Sequence, residues 1–397
     1  MLFLIIVLST LALIHGYVGF RIIPTLGFIG SWQGLAWLLL SLLTIMPILP
    51  ILLRFLGYEN GFIDALSWIV YTSLGFFTLT FLVVVFRDLG WIAWTAGTSL
   101  VTWLKEHFTA VPDFTAEYDP SRRRFLIYAM NLGLLSATGT LSAYGLFQAR
   151  RKPTVIEVDI PIADLPFQLE GLRIVQISDL HVGPTIKRNF VQRVADQVQA
   201  LNPDLIALTG DLVEGSVNYL NGDVAPLADL EAPYGKWFVT GNHEYYSGVE
   251  HWLEVIDGLG FTCLENEHRV VDVNGAKLTI AGVNDLSSHH VGPNHISDPD
   301  AALAGTPDDS LKLLLAHQPG SVFDAQRLGV HLQLSGHTHG GQFRPFDYAV
   351  AQAHPYVSGL HNHNGTWIYV NSGTGYWGPP LRLGVPSEIT VVRLMKA

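Results

Sequence analysis

The chain predicts two parts of different fold class: an α-helical, membrane-spanning region over residues 1–152, then an α/β domain over 153–397. Three observations carry that reading. Hydrophobic residues make up 49% of the chain and charged residues 14%, a balance unusual for a soluble protein, and the apolar stretches crowd into the first part. The second part is acidic: 10 Lys and Arg against 7 Asp and Glu precede residue 153, leaving 13 against 27 beyond it. Five short apolar runs in that second part each stop at an Asp, Asn or His, the pattern of buried strands whose carboxyl ends deliver polar side chains into loops.

In the first part, Met1 to Phe20 is almost uncharged and meets the roughly 20 residues a helix needs to cross a bilayer. It lacks the basic start and small-residue cleavage site of a signal peptide, so a retained span is expected. Leu35 to Leu53 is a second span, with Pro47 and Pro50 placed to kink it. Ile63 to Phe86 is a third. Arg87-Asp88 interrupts the run, and Leu89 to Leu104, with Trp91, Trp94 and Trp103, reads as an interfacial or re-entrant segment. Phe125 to Phe147 is the last span, fronted by Arg122, Arg123 and Arg124 and followed by Arg150, Arg151 and Lys152.

These basic residues bear on sidedness. With four spans, Arg21, Arg87, Lys105 and Arg122 to Arg124 fall on one side, and Arg54, Arg150, Arg151 and Lys152 on the other. The positive-inside bias puts the first set in the cytoplasm and the second half of the chain outside it, making a multi-pass protein of the cell membrane with an extracytoplasmic domain. Ser121 to Leu126 resembles a twin-arginine export motif set before an internal span; a basic anchor at the membrane surface is the other reading.

In the second part, Val155 to Ile160 alternates as an edge or half-buried strand does, and Leu172 to Ile177 begins the core sheet. Asn189 to Leu201 carries apolar residues at helical spacing and stops before Asn202-Pro203, so a helix joins two strands in a βαβ unit with a mostly parallel sheet. His251 to Leu259 is a further helix. Leu278 to Val283, Trp367 to Val370 and Glu388 to Leu394 are closing strands. The acidic balance repels phosphate backbones, so nucleic acid is not an expected partner, whereas a lipid bilayer is. Cys263, the one cysteine, excludes an intramolecular disulfide.

The strand ends carry the chemistry. Ile177 leads into Ser178-Asp179-Leu180-His181, Leu208 into Thr209-Gly210-Asp211, and Lys236 to Thr240 into Gly241-Asn242-His243-Glu244. Leu315 leads into Ala316-His317, and Leu334 into Ser335-Gly336-His337-Thr338-His339. Asp, Asn and His ligands suit Mn, Fe, Zn or Ni and not a thiolate site. The seven candidates Asp179, His181, Asp211, Asn242, His317, His337 and His339 are too many for one tetrahedral ion and suit two that share a carboxylate. Two ions about 3.5 to 4 Å apart can bind both an attacking hydroxide and phosphoryl oxygens, which points to phosphate-ester hydrolysis.

The ordered blocks D-x-H, G-D, G-N-H-E, H and G-H-T-H resemble the calcineurin-like metallophosphoesterase superfamily, in particular its membrane-anchored bacterial phosphodiesterase-like branch, over about residues 155–397. That resemblance implies a double β-sandwich flanked by helices, with each block in a loop at a strand's carboxyl end. It implies two divalent ions (Mn, Fe or Zn), one on Asp179, His181, Asp211 and His339, the other on Asp211, Asn242, His317 and His337. It makes His243 the non-ligand histidine that protonates the leaving oxygen or stabilises the transition state.

The implied substrate is a phosphodiester or phosphomonoester, lipid-linked or not. A pyrophosphatase of the UDP-diacylglucosamine type and a non-catalytic membrane sensor are the alternatives. Glu244 is read as a helix cap, or else as a partner orienting His243. Asn371 to Gly375 is read as a tight turn, or else as a phosphate-binding loop. His289, His361 and His363 are read as surface-loop residues.

Overall fold

A computed structural model describes residues 2–27, 30–108, 119–290, 292 and 295–397. The chain divides into two compact units, Met1–Leu56 with Ile69–Tyr144, and Gly57–Trp68 with Gly145–Ala397.

The first unit is helical. Its elements come from α1 (Leu2–Ile22), α2 (Ser31–Ile45), α3 (Ile48–Phe55), α4 (Gly61–Phe108) and α5 (Pro120–Arg150). Four stretches of described helix are long and apolar enough to cross a membrane: Ile5–Thr25, Ser31–Arg54, Gly61–Phe108 and Pro120–Arg150. The second is broken between α2 and α3, where Pro47 removes a backbone donor. Leu89 to Leu104 is not a separate interfacial segment: it continues α4, a single helix of 48 residues. The charges that suggested a break are accommodated by partners. Asp88 accepts from Tyr17 Oη at 2.6 Å and pairs with Arg21 at 2.7 Å, and Arg87 donates to Asn131.

The second unit contains two six-stranded sheets. The first has the order β1-β12-β2-β3-β4-β5 and the second β10-β11-β9-β8-β7-β6. The first uses β1 (Thr154–Ile162), β2 (Arg173–Ile177), β3 (Leu205–Thr209), β4 (Lys236–Val239), β5 (Phe261–Cys263) and β12 (Glu388–Lys396). The second uses β6 (Glu267–Val273), β7 (Ala276–Gly282), β8 (Leu311–Leu315), β9 (Leu332–Ser335), β10 (Gly359–His363) and β11 (Thr366–Val370). β2 to β5 run parallel, as do β7, β8, β9 and β11. β1 is an edge strand. His361 and His363 lie on β10, not in a loop.

Strand periodicity decides the layers. In β3, Leu205 and Ala207 join an inter-sheet core with Ile280, Leu313 and Leu334, while Ile206 and Leu208 face outward. There they meet Phe190, Val194 and Val198 of α6 (Arg188–Ala200), with Leu220 and Val224 of α7 (Val217–Val224) and Trp252 and Ile256 of the helix Val249–Gly258 in the same cluster. On the far side Ala281 and Leu314 pack with Ala302 and Ala325. The result is a double β-sandwich flanked by helices, because strands buried on both faces need apolar side chains on both.

The ends of α4 and α5 are built into this unit. Asp64 accepts from Tyr219 Oη at 2.7 Å and pairs with Lys187 at 3.1 Å, and Glu59 accepts from Ser216. Ala149 is fully buried, and the Arg150 guanidinium lies 5.1 Å from the Trp68 ring centroid.

Candidate metal centre

β2, β3 and β4 are neighbours in one sheet and β8 and β9 in the other. Their carboxyl ends meet at one edge of the sandwich and are tied across the two sheets. Buried Gln176 donates to Ser335 O and Thr209 Oγ1, both at 2.9 Å, and the His337 amide donates to Asp179 at 3.0 Å. His317 Nδ1 lies 2.7 Å from Thr209 O. A carbonyl only accepts, so Nδ1 carries the proton and Nε2 is turned toward the site.

Three groups of ligand atoms result: Asp179, His181 and His339; His181, Asp211 and His243; and Asp211, His317 and His337, each within 4.8 Å. His181 Nε2 stands 2.9 Å from His339 Nε2, His317 Nε2 stands 3.2 Å from His337 Nδ1 and 3.1 Å from Asp211 Oδ2. Asn242 opens α8 (Asn242–Ser247), and its buried Oδ1 has no hydrogen-bond partner among the described residues. Imidazole nitrogens facing one another beside buried carboxylates, with an orphaned amide oxygen, form a donor set that suits divalent cations.

The backbone is bent to achieve this. Asp179, His181, Asp211, His337 and His339 all have positive φ, between 51° and 72°, a left-handed conformation that non-glycine residues adopt at a cost of order 1 kcal/mol or more. Gly241 and Gly336 allow the close approach. A Cβ on Gly241 would collide with the Asp211 carboxylate, and one on Gly336 with the Asp179 carboxylate.

Electrostatics follow burial and neighbours. Burial works to raise the Asp211 carboxyl, but His317 and His243 outweigh it and hold it well below the usual range. Burial likewise opposes a charge on His317, yet Asp211 and Asp179 push its proton affinity well above the ordinary imidazole value. His337 is lowered to about 3 by burial and by His317.

The family model for calcineurin-like phosphoesterase matches residues 172–341, which hold all these ligand candidates. The chain is 35% identical over 349 residues to a Bos taurus protein called "Transmembrane protein with metallophosphoesterase domain", covering 83% of this chain and 74% of that one. The chain belongs to the calcineurin-like phosphoesterase family.

This phosphoesterase is also 39% identical to the Danio rerio protein of the same description, covering 66% of this chain but 62% of the fish protein's length. An "Uncharacterized metallophosphoesterase" of Helicobacter pylori is 36% identical, with 69% of this chain and 73% of that one covered. Among solved structures, the Bacillus subtilis calcineurin-like phosphoesterase YfkN overlaps 52% of this chain and 82% of its own, at 18% identity and a TM-score of 0.36. Membership supports a phosphoester hydrolase.

Two residues of the phosphoesterase site take places the motifs alone did not give them. Glu244 caps α8 as expected, but does more: its buried carboxylate accepts the amides of Gly241, Asp211, Leu212 and Val213 at 2.7 to 3.2 Å. The carboxylate beside His243 is not Glu244 but Glu214. Glu214 Oε1 lies 2.8 Å from His181 Nδ1 and 3.3 Å from His243 Nδ1. The available signal was its position three residues after Asp211. Asn371 to Gly375 is a turn: the Gly373, Thr374 and Gly375 amides are taken by Asn371 Oδ1, Ser178 O and Asp179 O at 2.7 to 3.0 Å, which leaves them no phosphate to hold. Exposed Tyr246 and Trp377 have ring centroids 5.3 and 6.0 Å from that of His243.

Proposed function

We propose that this chain is a multi-pass membrane enzyme that cleaves phosphomonoesters or phosphodiesters with two divalent ions, Mn, Fe or Zn. A transmembrane region over 1–152 anchors a catalytic domain over 153–397. The observation that carries this reading is that Asp211 belongs at once to a group with His181 and His243 and to a group with His317 and His337, while His181 also belongs to the group of Asp179 and His339, as a carboxylate set between two ions would. Asp179, His181, Asp211 and His339 would hold one ion, and Asp211, Asn242, His317 and His337 the other.

When bound, the ions supply Lewis acidity toward phosphoryl oxygens and lower the pKa of the attacking water. The chain's own residues do the rest. Burial of the ligand set excludes bulk water. His243, 16% exposed at its side chain, stands with Nδ1 3.3 Å from Glu214 Oε1, and its Nε2 would deliver a proton to the leaving oxygen. Tyr246 and Trp377 flank His243 and therefore the leaving group, not the phosphoryl group.

Two observations support an even number of crossings between α4 and the domain. Residues 57–68, which follow the second apolar stretch, and 145–150, which end the fourth, both pack within the catalytic unit. With the basic-residue bias, this supports an extracytoplasmic domain. A reporter fused after Ala397 tests it: alkaline phosphatase activity is expected, and a fluorescent green-protein fusion with an inactive phosphatase counterpart overturns it.

The function is tested on the detergent-solubilised protein with metals added back and a panel of phosphomonoesters and phosphodiesters. Two ions per chain and hydrolysis that collapses on chelation are expected. Asp211→Ala should lose more activity than any change of a single unshared ligand; full turnover in metal-free protein refutes the reading.

A further inference from the structure

Arg382 is 1% exposed, and among the described residues no carboxylate pairs with it within 4 Å. A buried charge with no carboxylate in ion-pair reach costs several kcal/mol unless its hydrogen bonds are satisfied; the donors of both terminal nitrogens are taken, while among the described residues Nε has no partner. An apolar side chain would fill the same space at less cost, so the place of an arginine here lies in what its donors hold.

Those donors converge on two loops. Nη1 donates to Ser372 O at 2.7 Å and to His339 O at 3.0 Å; Nη2 donates to Gly375 O and to Gly373 O, the latter at 3.2 Å. Each loop carries or supports a metal-ligand candidate. His339 sits at φ 51°, and its carbonyl direction is what that left-handed turn depends on. The segment from Ser372 to Gly375 lies beneath Asp179, with Thr374 N bonded to Ser178 O at 2.8 Å and Gly375 N to Asp179 O at 3.0 Å. One guanidinium thus joins the backbones that present Asp179 and His339. A further contact, Nη2 to His339 Nδ1 at 3.2 Å, reaches the imidazole itself.

The same residue reaches the end of α5. The Arg382 amide donates to Gly145 O at 3.1 Å, and a Cβ on Gly145 would strike Leu381. The loop that fixes the ligands is itself seated on that helix end.

We propose that Arg382 is a positioning residue of the metal centre: it pins the His339 turn to the loop under Asp179 and so sets the affinity of the ion position formed by Asp179, His181, Asp211 and His339. This rests on the two-ion reading above.

The test uses full-length protein carrying Arg382→Gln or Arg382→Lys. In metal-free protein, hydrogen exchange over residues 337–343 and 371–376 should quicken by about tenfold or more in Arg382→Gln, with the amides of α6 unchanged. Manganese titration should then show one of two ions weakened by about 10- to 100-fold, the range for loss of a group that orients a ligand, and the other ion unaffected. Arg382→Lys keeps the charge but cannot reach all four carbonyls, so it should fall between; it carries the test if Arg382→Gln does not fold. Wild-type exchange and wild-type affinity for both ions in a folded variant overturn the proposal. A wild-type protein that takes up no manganese refutes the two-ion reading and the affinity part with it, and the exchange rates then decide separately whether Arg382 holds the loops.

Discussion

Glu214 Oε1 touches two histidines of different proposed duty, the ligand His181 and the proton donor His243. His243→Ala should keep its metal content and lose turnover on the order of 10²-fold or more, with a smaller loss for substrates whose leaving groups need little protonation. Steady-state rates over a leaving-group series measure this; a uniform loss across the series argues against an acid role. Glu214→Gln removes the charge that orients both rings and should lower kcat by about tenfold or more. Its companion readout is metal content, which should fall in Glu214→Gln but not in His243→Ala. Equal metal content in the two variants would separate Glu214 from His181.

At the scale of elements, the ligand candidates are held by turns that tolerate little change. Gly241→Ala and Gly336→Ala each place a methyl group against a ligand carboxylate, and overpacking of this kind costs about 1 to 3 kcal/mol. Both should lower the thermal midpoint and the bound metal together; an alanine variant with unchanged melting would mean that the strand ends can spread. Glu244→Ala strips the acceptor from four buried amides at the start of α8 and in the loop after Asp211. Hydrogen bonds to a charged group contribute about 1.5 to 3 kcal/mol each, net of exchange with water, so a loss of several kcal/mol is expected, read by thermal melting in detergent.

For the whole molecule, metal and stability are linked. An ion present at about 100 times its dissociation constant adds about 2.7 kcal/mol to the folded state, so chelation should lower the melting temperature as well as abolish activity. The link depends on pH. Asp211 outweighs burial to hold the His317 proton well above the ordinary imidazole range, and a cation must displace that proton. Binding therefore releases protons, and affinity should rise with pH through the ordinary imidazole range and continue to rise above it. Titrations at several pH values measure the slope, and a flat or inverted slope would exclude His317 as a ligand.

The polar residues that cluster at the strand ends, the βαβ unit and the apolar stretches of the first part are all legible in the sequence, because each is a local pattern: a period of two, a period of 3.6, or a polar residue at the end of an apolar run. The strands β5, β6 and β10 were not read, being short or only partly buried, so that their hydrophobic period is weak. The continuity of α4 through Arg87-Asp88 depended on Tyr17, Arg21 and Asn131, residues far along the chain that accept the charges. The same holds at the site. Which carboxylate meets His243, and why a buried arginine lies beside His339, are decided by contacts between strand ends of two sheets, and no spacing along one chain segment encodes them.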